Sequence, residues 1–143
     1  MTRKEELMLQ ALELSKDALP YCQPNPPVGC LITYHNQVIS TGYTEPPGQR
    51  HAEIVAINNC SQLLSACELF VTLEPCSFFG RTPACTEALI KCRPKKIYVA
   101  MLDPDARNNG RGIQILQTAG LDVQVGLAQD AVREFLRDYL NKS

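Results

Sequence analysis

The chain has 143 residues, 45% of them hydrophobic and 20% charged, with fourteen basic side chains against fifteen acidic ones. That length is enough for one domain with its own core, and the near-neutral balance argues against a general electrostatic grip on nucleic acid. The N-terminal MTRKEELMLQALELSKDAL threads charges through its apolar residues. It therefore reads as neither a signal peptide nor a membrane helix, and a cytoplasmic location with no membrane partner is expected.

In chain order, Leu7, Leu9, Ala11, Leu12, Leu14 and Ala18 give a first helical stripe that must end before Pro20. QPNPPVG (23–29) is too rich in proline to be helical and is expected to form an ordered loop. Val28–Tyr34 and Gln37–Tyr43 read as strands joined at His35-Asn36 by a tight hairpin, which leaves His35 exposed. TEPPGQR (44–50) is a second loop, Ala52–Cys60 a helix, and Leu69–Leu73 a short strand ending at Glu74-Pro75. Helix is expected again over Ala84–Cys92, strand over Lys96–Met101, and a turn-rich segment over DPDARNNGRG (103–112). A helix over Ile113–Ala119 stops at Gly120, a strand follows over Asp122–Val125, and Ala128–Leu140 closes the chain as an amphipathic helix. The order α-β-β-α-β-α-β-α-β-α predicts an α/β, three-layer α-β-α fold with a mixed five-stranded sheet, as a single domain over 1–143.

The seven cysteines lack short repeated spacings, so thiols or metal ligands are expected rather than a disulfide framework. Cys30, Cys60 and Cys92 sit in apolar surroundings and read as small core residues. The chemistry gathers elsewhere. His51 and Glu53 open a helix, Cys76 follows a strand and a proline, and Cys85 opens the next helix. One imidazole and two thiolates suit zinc, and three protein ligands leave a fourth position open, as in catalytic rather than structural sites. A water there would have its pKa lowered to roughly 7, and Glu53 would shuttle its protons. A closed zinc completed by Cys67 or Cys92 is the alternative. Each pair alone is weak, but histidine-x-glutamate followed by proline-cysteine and a second cysteine matches the zinc deaminase signature, with a longer gap between the cysteines.

With these residues the chain resembles the cytidine deaminase-like superfamily, and within it the deaminase domain of the riboflavin-biosynthesis deaminase/reductase. The likeness runs through PNPPVGC (24–30), HAE (51–53), VTLEPCSFFGRTPAC (71–85), VAMLDPD (99–105) and GRGIQILQTAGLDVQVGL (110–127). The eight residues between Cys76 and Cys85, with Gly80-Arg81-Thr82-Pro83 among them, mark this subfamily. The resemblance implies Zn2+ held by His51, Cys76 and Cys85, with Glu53 as proton shuttle. It further implies hydrolytic removal of the 2-amino group of 2,5-diamino-6-ribosylamino-4(3H)-pyrimidinone 5′-phosphate. Asn25, Thr44, Ala52, Phe78, Arg81 and Asp105 would surround that substrate, Asn25 through its amide and Arg81 at the phosphate. Asn25 between two prolines also fits a plain turn residue, and Arg81 a solvated loop residue. A dimer or higher homo-oligomer is implied as well.

Three positions depart from the family pattern. Thr44 closes a Gly-Tyr-Thr where the family has Gly-x-His, Phe78 follows Ser77 where it has Ser-His, and Asp105 ends Asp-Pro-Asp where it has Asp-Pro-Asn. Asp105 is expected to pair with Arg81 or with a cationic group of the substrate. These changes open a second reading, a deaminase of another small base, nucleoside or nucleotide. A nucleic-acid deaminase would want a basic or aromatic-lined groove, which a chain without tryptophan and with balanced charge does not suggest. A non-catalytic zinc-stabilised binding module is the reading from a different class. The chain ends soon after Leu140 without a nicotinamide-binding segment, so no reductase domain is expected.

Overall fold

The computed structural model describes residues 1–80 and 82–140. The elements alternate as expected: α1 (Arg3–Ser15), β1 (Gly29–Tyr34), β2 (Gln37–Tyr43), α2 (Ala52–Asn58), β3 (Glu68–Leu73), α3 (Cys85–Cys92), β4 (Lys96–Met101), α4 (Arg111–Thr118), β5 (Val123–Val125) and α5 (Gln129–Leu140). Short 3-10 turns at Lys16–Ala18 and Leu64–Ala66 were not expected. α1 starts on a capping box. The Glu5 N–H donates to the Thr2 hydroxyl at 3.1 Å, and the Thr2 N–H donates to the Glu5 carboxylate at 3.2 Å. The β1–β2 hairpin turns on His35 and Asn36, with φ of 51° and 63°, the paired left-handed conformations of a twist-matched two-residue turn.

The strands form one mixed sheet in the order β2-β1-β3-β4-β5. β1 is antiparallel to both β2 and β3, while β3, β4 and β5 run parallel. Period-two alternation divides the core between two faces. Cys30 and Ile32 of β1, Leu69 and Val71 of β3, and Ile97 and Val99 of β4 face α2, α3 and α4. Leu31, Phe70, Tyr98 and Ala100 face the opposite way, against Leu7, Met8, Ala11 and Leu12 of α1 and Val132 and Leu136 of α5. Both faces are covered, so the parallel half of the sheet reads as nearly continuous apolar runs. Cys30 is fully buried, whereas Cys60 and Cys92 are only half-buried and pack against the edge of that core.

Most element ends fall within one residue of the sequence reading, and two differ by two residues for visible reasons. α2 stops at Asn58 rather than Cys60, because the run Asn58-Asn59-Cys60-Ser61 has poor helix propensity. α4 begins at Arg111 rather than Ile113, because a side chain from another element meets its first turn. Glu74, just after β3, accepts the Ile113 N–H at 3.2 Å and so satisfies a donor that the helix itself leaves unpaired.

Gly42 on β2 sets how closely α2 can lie on the sheet. A Cβ there would fall 2.5 Å from the Ala52 carbonyl oxygen and 2.7 Å from the Ala56 nitrogen. Since α2 carries Glu53 and follows His51, Gly42→Ala is expected to push both outward. We expect it to cost about 1–3 kcal/mol of stability and to weaken zinc retention, as read by denaturant unfolding and metal analysis. Unchanged metal content would show that α2 can move without disturbing its N-terminus.

Candidate active site

His51 occupies the residue just before α2, with extended backbone (φ −79°, ψ 164°), and its side chain makes no cap to the helix. The imidazole is therefore available to other groups. Its Nδ1 lies 3.3 Å from the Cys85 Sγ and 3.8 Å from the Cys76 Sγ. Cys76 reaches this point because β3 delivers the chain to Pro75, and Cys85 because α3 begins there. The Thr86 N–H donates to the Cys76 carbonyl at 3.2 Å, locking the loop to the helix start. The three donor atoms all lie within 4.8 Å of one another, although 25 and 34 residues separate His51 from the two cysteines.

This donor set fits zinc. Tetrahedral coordination with Zn–S near 2.3 Å and Zn–N near 2.0–2.1 Å places neighbouring ligand atoms roughly 3.5–3.8 Å apart, close to the separations seen. Cys67 and Cys92 do not join the group. Their thiols donate to the Leu63 and Leu89 carbonyls, and among the described residues no fourth side chain completes the cluster. The donor set is thus the open kind, with three protein ligands.

The electrostatics favour a thiolate at the centre. The Cys76 thiol is pulled down to about 4, first by the hydrogen bond from the Cys85 side chain and then, against the cost of burial, by His51 and the Cys85 N–H at 3.1 Å. Cys85 moves the other way, because its proton is shared toward Cys76 and because it is buried. The His51 imidazole is raised, chiefly by its bond to Cys76. Glu53 is 4% exposed. Burial, then the nearby Cys76 charge, pushes its carboxyl up to about 7, so it exchanges a proton near neutrality.

His51, Glu53 and Cys76 line a cavity of about 460 Å³ that also includes Asn25, Thr44, Phe78 and Asp105, with the buried Cys85 behind its wall. It opens beyond the carboxyl ends of β3 and β4, where ligands gather in open α/β sheets. Asn25 makes no side-chain hydrogen bond to another described residue. Its backbone N–H donates to Cys22 at 2.9 Å, leaving the amide available to the cavity. Thr44 is present but engaged: its hydroxyl accepts the Val28 N–H at 3.0 Å and faces the Val28 carbonyl at 3.4 Å. Ala52 is fully buried and packs in the core rather than lining the cavity. Arg81 lies outside the described residues.

Asp105 pairs with neither expected partner. It holds Arg107, with Nη2 at 2.7 Å from one carboxylate oxygen and Nε at 3.1 Å from the other. Sequence reasoning passed over Arg107, and also over Glu74 and Asp103, all three of which line the cavity. The one local signal was the Asp-x-Arg spacing at 105–107, which suits a turn closed by its own ion pair. Glu74 is 4% exposed and accepts the N–H groups of Asp103 (3.0 Å), Gly110 (2.9 Å) and Ile113 (3.2 Å). It thereby ties the segment after β4 to the one after β3. Burial raises the Asp103 carboxyl, although it accepts the Asp105 N–H at 3.0 Å.

Residues 1–101 match the family model of the cytidine and deoxycytidylate deaminase zinc-binding region. The chain belongs to this deaminase family. His51, Cys76 and Cys85 all fall inside the matched segment, so the geometric cluster and the family's zinc-binding region coincide. The riboflavin biosynthesis protein RibD of Aquifex aeolicus is 39% identical over 132 residues, covering 92% of this chain and 37% of that protein. Among solved structures, Acinetobacter baumannii RibD superposes with a TM-score of 0.91 at 40% identity, covering 96% of this chain and 39% of the other. A Thermotoga maritima protein described as a diaminohydroxyphosphoribosylaminopyrimidine deaminase/5-amino-6-(5-phosphoribosylamino)uracil reductase superposes at 0.89, with 31% identity over 96% of this chain and 40% of its own. The chain thus spans well under half the length of these relatives. No helix among the described residues is long and apolar enough to cross a membrane.

Proposed function

We propose that this deaminase-family domain removes the 2-amino group of 2,5-diamino-6-ribosylamino-4(3H)-pyrimidinone 5′-phosphate by hydrolysis, releasing ammonia. The observation that carries the reading is the meeting of His51, Cys76 and Cys85, two of which line one cavity together with the buried Glu53. The relatives named for riboflavin biosynthesis, at 39% and 40% identity across nearly all of this chain, support the choice of ring.

His51, Cys76 and Cys85 would hold the zinc, and zinc when bound supplies Lewis acidity that brings a water's pKa down to about 7. Glu53 does the proton work. Buried, with its carboxyl raised to about 7, it accepts a proton from the attacking water and passes it to the departing nitrogen. Oxygen adds at the amino-bearing carbon, the C–N bond breaks, and the balance is one water consumed for one ammonia released. Asn25 offers a donor and an acceptor to a polar ring edge and would orient the ring toward Glu53. The cavity walls hold the ring away from bulk water during the transfer.

Incubating the zinc-loaded protein with the diaminopyrimidinone phosphate and following ammonia tests the proposal, and no turnover with zinc bound would overturn it. A second reading, deamination of another small base, nucleoside or nucleotide, draws on Phe78 and Asp105, which both line the cavity where the family pattern has other residues. A panel of cytosine, guanine, pterin-like and nucleotide substrates would reveal it. A homo-oligomer in a cytoplasmic setting belongs to the same proposal. The seven unpaired cysteines support a reducing compartment, and light scattering on purified protein reads the assembly.

A further inference from the structure

His51 stands at a junction. It lies just outside α2, its side chain caps nothing, and the chain reaches it from β2 through the loop 44–50. That loop belongs to neither strand nor helix, and it carries two prolines and Gly48 in left-handed backbone (φ 86°). Its two ends are nevertheless tied together. The Glu45 N–H donates to the Arg50 carbonyl at 3.0 Å, and the Arg50 N–H donates to Oε1 of Glu45 at 3.1 Å. Arg50 Nε meets the same Oε1 and Nη2 meets Oε2, each at 2.9 Å. One carboxylate therefore receives both a bidentate guanidinium and a backbone donor from the residue next to the metal ligand.

The loop is also anchored to the sheet. The Thr44 N–H donates to the Val28 carbonyl at 3.1 Å, and the Thr44 hydroxyl accepts the Val28 N–H at 3.0 Å. Bonds thus run without a break from Val28 through Thr44, Glu45 and Arg50 to the peptide that enters His51. On the far side of His51 the helix takes over, with the Val55 N–H donating to the His51 carbonyl at 3.1 Å. An exposed ion pair by itself contributes little to stability, and the Arg50 side chain is 47% exposed. A planar fork on a carboxylate fixes direction as well as distance, however. With the backbone held on both sides, the imidazole keeps only its own two torsions to order when a metal binds, and that lowers the entropy cost of binding.

We propose that Glu45 and Arg50 are positioning residues for the zinc ligand His51, their ion pair closing the 44–50 loop so that the imidazole is ordered before zinc binds. The inference rests on the zinc site and is independent of which ring is deaminated.

The test titrates zinc-loaded wild type, Glu45→Gln, Arg50→Gln, the double variant and Arg50→Lys with a chromogenic chelator of known zinc affinity. Each single glutamine variant is expected to weaken zinc binding roughly tenfold, as loss of a group supporting a metal ligand does. The double variant should lose no more than either single one, because both remove the same pair. Arg50→Lys keeps the charge without the fork and should recover part of the loss. Added salt should weaken zinc binding more in the wild type than in the double variant, since an exposed pair is screened. Affinities within about twofold of the wild type in every variant, or single losses that simply add in the double variant, would overturn the proposal. A wild type that binds no zinc overturns it together with the metal site. Weakened zinc binding in the variants, with no ammonia released by the wild type, upholds the pair and sinks only the substrate reading. Circular dichroism identifies a variant that has failed to fold, and the comparison of wild type with Arg50→Lys, the mildest change, then decides.

Discussion

Replacing Glu53 by glutamine is expected to slow ammonia release by about 10²–10⁴-fold while zinc content and fold stay as in the wild type. Glutamine matches glutamate in shape and can still hydrogen-bond in the same small space, so the packing around α2 has no reason to change. What it cannot do is accept a proton and return it. The carboxyl group is buried at 4% exposure and titrates near 7, so this proton exchange is available at working pH. Single-turnover measurement of ammonia, beside metal analysis of the same sample, reads both halves of the expectation. A variant that kept activity near wild type with zinc bound would exclude Glu53 as the shuttle. It would also favour a zinc-stabilised binding module over an enzyme.

The second large effect belongs to Glu74, whose carboxylate hydrogen-bonds neither His51 nor a cysteine among the described residues. Its two oxygens accept the Asp103, Gly110 and Ile113 N–H groups, which links the strand that delivers Cys76 to the first turn of α4. Glu74→Ala would leave these donors without their partner at a buried position. At about 1–3 kcal/mol for each unsatisfied group, with some relief from water entering the gap, we expect a loss of about 4 kcal/mol. For a chain of this size that amounts to roughly 10 °C or more in unfolding temperature. Glu74→Gln should fall between, because one oxygen can still serve Asp103 and Gly110 while the amide NH2 faces the Ile113 N–H. Thermal unfolding of the three proteins checks the order. An alanine variant as stable as the wild type would show that the loops after β3 and β4 hold together without this carboxyl group.

Much of this was legible in the sequence because it depends on local chemistry. Short apolar runs marked β1, β3 and β4, prolines marked the loops at 23–29 and 44–50, and His35-Asn36 marked the hairpin. The ligand types at His51, Cys76 and Cys85 could be recognised by their order and by the proline before Cys76. Thr44 shows where such reading ends. It stood out as a departure from a pattern, yet its hydroxyl bonds to the Val28 backbone, a contact between the two ends of the β1–β2 pair that residue type alone does not announce. Asp105 is a second case. A partner was expected at Arg81 or in the substrate, and the structure supplies it two residues away, at Arg107.

The sequence by itself determined the order of elements, the kinds of donor and the presence of a glutamate two residues beyond a histidine, since these follow from residue types and short spacings. Only the tertiary structure decided that donors 25 and 34 residues apart lie within 4.8 Å. The same holds for the cavity, where Phe78 meets Arg107 and Glu74 gathers three distant N–H groups. The physical reason is the parallel pairing of β3 with β4, which brings the loops after both strands to one end of the sheet. That pairing depends on which apolar faces α2 to α4 and α1 with α5 cover, a long-range packing choice that no local period encodes.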